Sequence, residues 1–239
     1  MKYKIIRIIK KTWINYPWIL YLKFFKDSEE RNILIEKYKA IYFPINKVAC
    51  TTLKTTIRKI IWLKNYKNAN YLETPYIKRK KLKNYKNYYK FAFVRNPYDR
   101  LVSCYENRIK KTKVNENWFK NWVYEWLLYV WDFYSGMSFK EFVKEIIKIP
   151  EKKSDSHFKS QYTFLTDKKW NLITDYIWRF ENLENDFNKI TEKLWIKWFE
   201  LPHLMKSKHK DYKEYYDNES KKLVTERYKK DLELFEYSY

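Results

Sequence analysis

Two short stretches of the chain hold residues able to grip an anion and act on it. The first is Pro44-Ile45-Asn46-Lys47-Val48-Ala49-Cys50-Thr51-Thr52-Leu53-Lys54. A lysine, a small residue and two hydroxyls stand there just ahead of apolar residues at helical spacing, Leu53, Ile57, Ile60 and Ile61. A helix start presents unsatisfied N–H groups and the positive end of the helix dipole, so it can hold an anion without any glycine. Ala49 permits close approach. Thr51 and Thr52 stand where an N-cap belongs, and an ordinary capped helix with a solvated lysine accounts for the same residues. The second stretch is Arg95-Asn96-Pro97-Tyr98-Asp99-Arg100-Leu101-Val102-Ser103-Cys104-Tyr105. Arg95 leaves the end of a buried strand, where ligands of open α/β sheets bind. Ser103 follows 8 positions later, about two helical turns on. A guanidinium fork plus a hydroxyl suits a phosphate monoester; an arginine bracing its loop through Asp99 is the alternative.

The elements that must position these residues follow from periodicity. Ala40–Phe43 and Phe91–Val94 are continuous apolar runs suited to strands buried on both faces. Each leads into a helical stripe, the second through Pro97 at a first-turn position and Leu101, Val102, Tyr105 and Ile109. Residues 138–149 read as an amphipathic helix, 175–180 as a strand leading into a helix through Phe187 and Ile190, and 218–235 as a final helix. Residues 65–87 read as a surface excursion, and Trp118, Trp122, Trp126 and Trp131 as a helical core stripe. The expected fold is an α/β domain, a central mostly parallel sheet flanked by helices. Residues 1–38 are expected to form an N-terminal amphipathic helical segment and 39–239 the single domain. Arg7, Lys10, Lys11, Pro17 and Lys23 make the N-terminal segment a poor membrane span, so it either packs on the domain or lies in an anionic membrane interface.

Composition narrows the ligand. The 239 residues carry 51 Lys+Arg against 29 Asp+Glu, a formal net charge of +22, which calls for an anionic partner. The single glycine, Gly136, excludes a Walker loop and a dinucleotide-binding glycine turn, since each needs several. Cys50 and Cys104 make no disulfide framework and read as reduced, part-buried residues. No cysteine and histidine spacing fits a metal centre.

Taken together, the two stretches resemble the Golgi-type carbohydrate sulfotransferases. Lys47-Val48-Ala49-Cys50-Thr51 looks like that family's 5′-phosphosulfate loop, and Arg95 through Ser103 like its 3′-phosphate motif. Further matches come in the family's order: Asp155 through Gln161, Phe180-Glu181-Asn182-Leu183, Leu201-Pro202-His203-Leu204, and Tyr212 through Tyr237. The resemblance implies a P-loop-like three-layer domain and the donor 3′-phosphoadenosine-5′-phosphosulfate (PAPS), with PAP as product. It also implies in-line transfer of a sulfuryl group to a sugar hydroxyl. Carried over, Lys47, Val48, Ala49, Cys50, Thr51, Thr52 and Leu53 would hold the 5′-phosphosulfate, and Arg95 and Ser103 the 3′-phosphate. The chain departs from the pattern at Asn46 and Ser160, where proline is usual, and at Phe158, where tryptophan is commoner.

Sulfuryl transfer needs an oriented oxygen nucleophile, relief of charge on the leaving phosphate and a base for the acceptor proton. Lys47 is expected to neutralise the leaving charge, with no metal required. His157 is the first candidate base, with His203 and Glu73 as alternatives. Eleven tryptophans and 24 tyrosines offer stacking faces for sugars. The lysine excess favours an acidic polysaccharide, and the run 78–90 either lines the acceptor cleft or is a solvated basic face. A soluble or peripheral membrane protein of a microbial or viral cytoplasm is expected. The competing functions are a catalytically inactive relative that binds nucleotide or glycan, and a basic nucleic-acid-binding protein, for which no motif is present.

Overall fold

A computed structural model describes residues 31–61, 74–110, 133–134, 136–196, 201 and 210–239. Five strands form one sheet: β1 (Arg31–Ile35), β2 (Ala40–Phe43), β3 (Tyr76–Lys78), β4 (Tyr89–Val94) and β5 (Tyr176–Arg179), in the order β3-β1-β2-β4-β5. β2, β4 and β5 pair in parallel. β1 runs antiparallel to both β2 and β3, so four strands share one direction and β1 alone opposes them. The apolar runs explain the parallel core: Ala40, Ile41, Phe91, Ala92 and Phe93 are all sealed from solvent, as strands covered on both faces must be.

Seven helices are described: α1 (Cys50–Ile60), α2 (Pro97–Tyr105), α3 (Phe139–Lys148), the single-turn α4 (Tyr162–Leu165), α5 (Leu183–Lys193), α6 (Asn218–Arg227) and α7 (Lys229–Leu234). One core cluster joins the sheet to α1 and α5 through Leu53, Ile57, Phe187 and Ile190. A second joins α2, α3 and α6 through Leu101, Val102, Phe142, Val143, Val224 and Tyr228. Helix ends follow their chemistry. Ser138 and Glu141 form a capping box on α3, and Asp217 and Ser220 one on α6.

The helical segment expected over 1–38 does not hold for residues 31–38, which form a strand and a 3₁₀ turn. Arg31–Ile35 is a sheet strand, with Ile33 and Ile35 buried and paired to Tyr42 and Ala40. Its alternation spans too few residues to show against a charged flank, and its partner lies across a turn with Lys39 in the left-handed region. The domain therefore begins by residue 31. Part of the excursion expected over 65–87 is also structured: β3 occupies the sheet edge and a 3₁₀ turn follows over Arg79–Asn84. The tryptophan stripe at 118–131 and residues 1–30 lie outside the described residues.

The sheet sets the site. Parallel pairing of Phe43 with Ala92 puts the carboxyl ends of β2 and β4 side by side, so the loops leaving them are neighbours at the edge where open α/β sheets bind ligands.

Candidate active site

The β2–α1 loop turns without glycine. Lys47 (φ 68°) and Ala49 (φ 47°) both adopt the left-handed region, a conformation that costs a non-glycine residue about 1 kcal/mol or more. The α1 N-cap is Ala49, and no side chain caps the helix. This corrects the N-cap role expected for Thr51 and Thr52, which lie within the first turn, Thr51 exposed and Thr52 buried. The left-handed backbone at Ala49 puts the cap one residue earlier than hydroxyl preference indicates. The N-cap residue therefore offers no side chain to the first-turn N–H groups. Val48 and Leu53 are fully buried anchors of the loop, while Cys50 is half-buried and its Sγ lies 3.5 Å from Asn46 Oδ1.

Lys47 is the loop's cation. Burial pulls its amine down to about 8, with Arg108 and Arg95 pushing the same way against the cysteine thiols. Burial also pushes Cys104 up to about 11, so the thiol stays protonated at neutral pH and gives Lys47 no counter-charge. The amine makes no ion pair among the described residues. A part-buried cation with cationic neighbours is what an anion site requires.

The β4–α2 junction is built differently. Asn96 caps α2 by accepting from Tyr98 N at 3.0 Å, and Pro97 opens the helix. Arg95 is only 4% exposed. Its Nε donates to Asp99 Oδ2 at 2.7 Å, its Nη1 donates to the Lys47 carbonyl at 3.1 Å, and its guanidinium lies 4.2 Å from the Phe180 ring centroid. Arg95 therefore braces its own loop through Asp99, as the alternative reading has it, and also touches the Lys47 turn. Ser103 is buried on α2.

Three further elements hold these turns, and sequence reasoning assigned none of them a role. Arg100, 2% exposed, donates from Nε to the Asn46 carbonyl (2.9 Å), from Nη1 to that of Lys159 (2.7 Å) and from Nη2 to that of Ser156 (3.0 Å). It clips the Lys47 loop to the 155–161 loop. Its place inside the second motif was the available signal, but an arginine amid polar residues reads as surface. Gln161, fully buried, exchanges hydrogen bonds with the backbone of Arg95 (3.0 and 2.8 Å). Asp231 in turn accepts from Gln161 N and Tyr162 N, each at 2.8 Å, and burial pushes its carboxyl up to about 6. Glu181 accepts from Asn96 N and from the Tyr237 hydroxyl, each at 2.7 Å, while Asn96 Nδ2 donates to the Ser238 carbonyl at 2.9 Å. Three of the later matched stretches, those containing Gln161, Glu181 and Asp231–Tyr237, thus brace the second junction, while residues 202–204 lie outside the described residues.

The departures from the family's pattern have structural reasons. Asn46 Nδ2 donates to Ser156 Oγ at 2.7 Å, joining two loops that a proline could not bond. Ser160 N donates to Glu151 at 2.8 Å, a bond closed to proline. Phe158 packs in the second core cluster against Phe133.

His157 lies in the same region. Its Nδ1 is 2.6 Å from Asp155 Oδ1, and its Nε2 is 2.8 Å from Arg108 Nη2. A guanidinium only donates, so Nε2 accepts and Nδ1–H donates to the carboxylate. The ring is neutral, and burial lowers its pKa despite Asp155. The nitrogen a base would use is engaged by Arg108. The alternative bases, Glu73 and His203, lie outside the described residues.

No curated protein and no solved structure matches the sequence. The profile of the sulfotransferase family matches residues 31–238, from β1 to the tyrosine-rich end that braces Asn96. With its two strand-to-helix turns joined at the carboxyl edge of the sheet, the chain belongs to the sulfotransferase family.

Proposed function

We propose that this sulfotransferase takes its sulfuryl group from PAPS and transfers it to a hydroxyl of a carbohydrate acceptor. The observation that carries the reading is the 3.1 Å contact from Arg95 Nη1 to the Lys47 carbonyl. It joins the two turns that would hold opposite ends of one doubly phosphorylated nucleotide. The residues fit that ligand: an uncapped helix start, a small residue at Ala49 and a part-buried lysine without an ion pair among the described residues. When bound, PAPS supplies a sulfuryl group activated by a phosphate leaving group. Lys47 and the first-turn N–H groups of α1 bind the 5′ end, where a cation and helix dipole lower the cost of developing negative charge. Arg95 and Ser103 bind the 3′-phosphate, and Asp99, Gln161 and Glu181 keep the Arg95 junction in shape.

The acceptor side rests on the basic run. Lys80, Lys81 and Lys83 are exposed on the turn after β3, whose Arg79 reaches the carbonyls of Thr163 and Thr166, just beyond Gln161. These lysines favour an acidic polysaccharide. Incubating the protein with ³⁵S-labelled PAPS and a panel of neutral, carboxylated and sulfated glycans tests the reading. Label should pass to a glycan, most readily to an acidic one. Binding of PAP without transfer to any member would favour an inactive relative, and no binding of PAP would sink the proposal.

A further inference from the structure

Asp155, His157 and Arg108 form a hydrogen-bonded chain; the first two lie on a loop that Ser156 ties to Asn46, next to Lys47. Asp155 has a side chain only 2% exposed and receives both the backbone N–H (2.8 Å) and the Nδ1–H (2.6 Å) of His157. His157 then accepts from Arg108 Nη2 at 2.8 Å. Resting on the sulfotransferase reading above, we propose that Arg108 is a second cation of the transfer site that grips the sulfonate end of the bound nucleotide, and that His157 is the positioning residue that aims it.

The local structure supports this. Immediately after α2 the chain widens into a π-helical turn over Glu106–Lys110. Such turns shift residues out of α-helical register and recur at functional sites. Arg108 lies one turn beyond Cys104, and the charges of Lys47 and Arg108 both act on the Cys104 thiol. The same guanidinium acts on the Lys47 amine. The bond from Asn46 Nδ2 to Ser156 Oγ (2.7 Å) ties the residue before Lys47 to the residue before His157, so the Lys47 loop and the His157–Arg108 pair are neighbours. The chemistry of Lys47 and Arg108 is complementary. An ammonium is a point charge, whereas a guanidinium fork matches two oxygens of a sulfonate at once. A neutral imidazole that donates to a buried carboxylate and accepts from a cation is suited to fixing that cation's direction. It is poorly suited to collecting a proton, since Arg108 occupies its lone pair.

The experiment compares two ligands that differ only in the sulfonate. PAP and PAPS are titrated calorimetrically into the wild-type protein and into Arg108→Ala, Arg108→Lys, His157→Gln and His157→Leu, each checked for an unchanged melting temperature. Arg108→Ala should weaken PAPS about tenfold or more, the weight of a charge-assisted hydrogen bond, and PAP less than about threefold. Arg108→Lys should recover part of the PAPS affinity. His157→Gln keeps an acceptor for Arg108, so it should hold PAPS affinity and turnover within about fivefold and leave the acid limb of the kcat/KM profile unmoved. His157→Leu should lose PAPS selectively, as Arg108→Ala does. Equal losses for PAP and PAPS in Arg108→Ala, no loss for either, or a defect confined to acceptor KM would overturn the proposal. So would a His157→Gln protein that binds PAPS normally yet turns over about a hundredfold more slowly, which would return the base role to His157. A wild-type protein that binds neither ligand would overturn the sulfotransferase reading itself, and this proposal with it.

Discussion

The two strand-to-helix junctions of the parallel core do the same topological job by opposite means. The β2–α1 loop leaves its helix uncapped, holds two non-glycine residues in the left-handed region and part-buries a lysine without an ion pair among the described residues. The β4–α2 junction satisfies itself: Asn96 caps, Pro97 starts the helix, Asp99 pairs with Arg95, and Gln161 and Glu181 brace the backbone. On the proposed reading, the first is completed by the anion it binds, and the second supplies the rigid wall beside it. Substitutions of Lys47 at the first junction should therefore cost activity, and those of the bracing residues Asn96, Arg100, Gln161 and Glu181 at the second chiefly stability.

Lys47→Ala is the severest test. Removing the lysine should lower transfer about a thousandfold, in the range seen for loss of one group that stabilises developing charge, while the melting temperature stays the same or rises. A thermal scan beside the labelled-PAPS assay reads both, and a large drop in melting temperature would break the contrast. Arg100→Ala should show the reverse. It strands three backbone carbonyls that a buried guanidinium now serves, a loss of about 3 kcal/mol or more, or roughly 10 °C in melting temperature for a chain of this size. PAP affinity of the folded fraction should fall as well, because the clip joins the Lys47 loop to the 155–161 loop.

The contrast sharpens with pH. Lys47 has a folded pKa of about 8, below its ordinary value of 10.5, so kcat/KM should fall about tenfold per unit above pH 8 as the cation is lost. A depressed lysine disfavours the charged form in the native state. Its contribution to stability is therefore full above 10.5 and is lost as pH falls through 8. From pH 8 to 10.5, then, stability should rise while activity falls, read as the difference between wild type and Lys47→Ala. Equal slopes in the two proteins would remove Lys47 as the cause. The smallest effect is expected at the second junction: Asn96→Ala removes the cap and the exposed bond to Ser238, about 1–2 kcal/mol together, a shift of roughly 2–8 °C, with transfer lowered only a few-fold.

Much of this arrangement is legible in the sequence because it is local. Ala40–Phe43 and Phe91–Val94 are apolar without a break, and Pro97 and the Leu101–Ile109 stripe announce α2. The two motifs carry their own spacing. What stays hidden depends on distant partners. β1 is a short segment made into a strand by Tyr42 and Tyr76 on either side. The N-cap of α1 shifts to Ala49 because the backbone, and not a hydroxyl, makes that turn. The partners of Arg100 and Arg108 lie on the 155–161 loop, far along the chain, and the engagement of both nitrogens of His157, the first candidate base, is a matter of those same contacts.

One feature of the second junction has a practical side. Asn96 and Glu181 are tied to Ser238 and Tyr237, and Tyr239 packs against Tyr98 in α2. Trimming those last three residues by a carboxypeptidase would loosen the mount of Arg95 from about 140 positions away in the chain. Anything that crowds Tyr237, Ser238 and Tyr239 would press on the same mount and should show in nucleotide titrations.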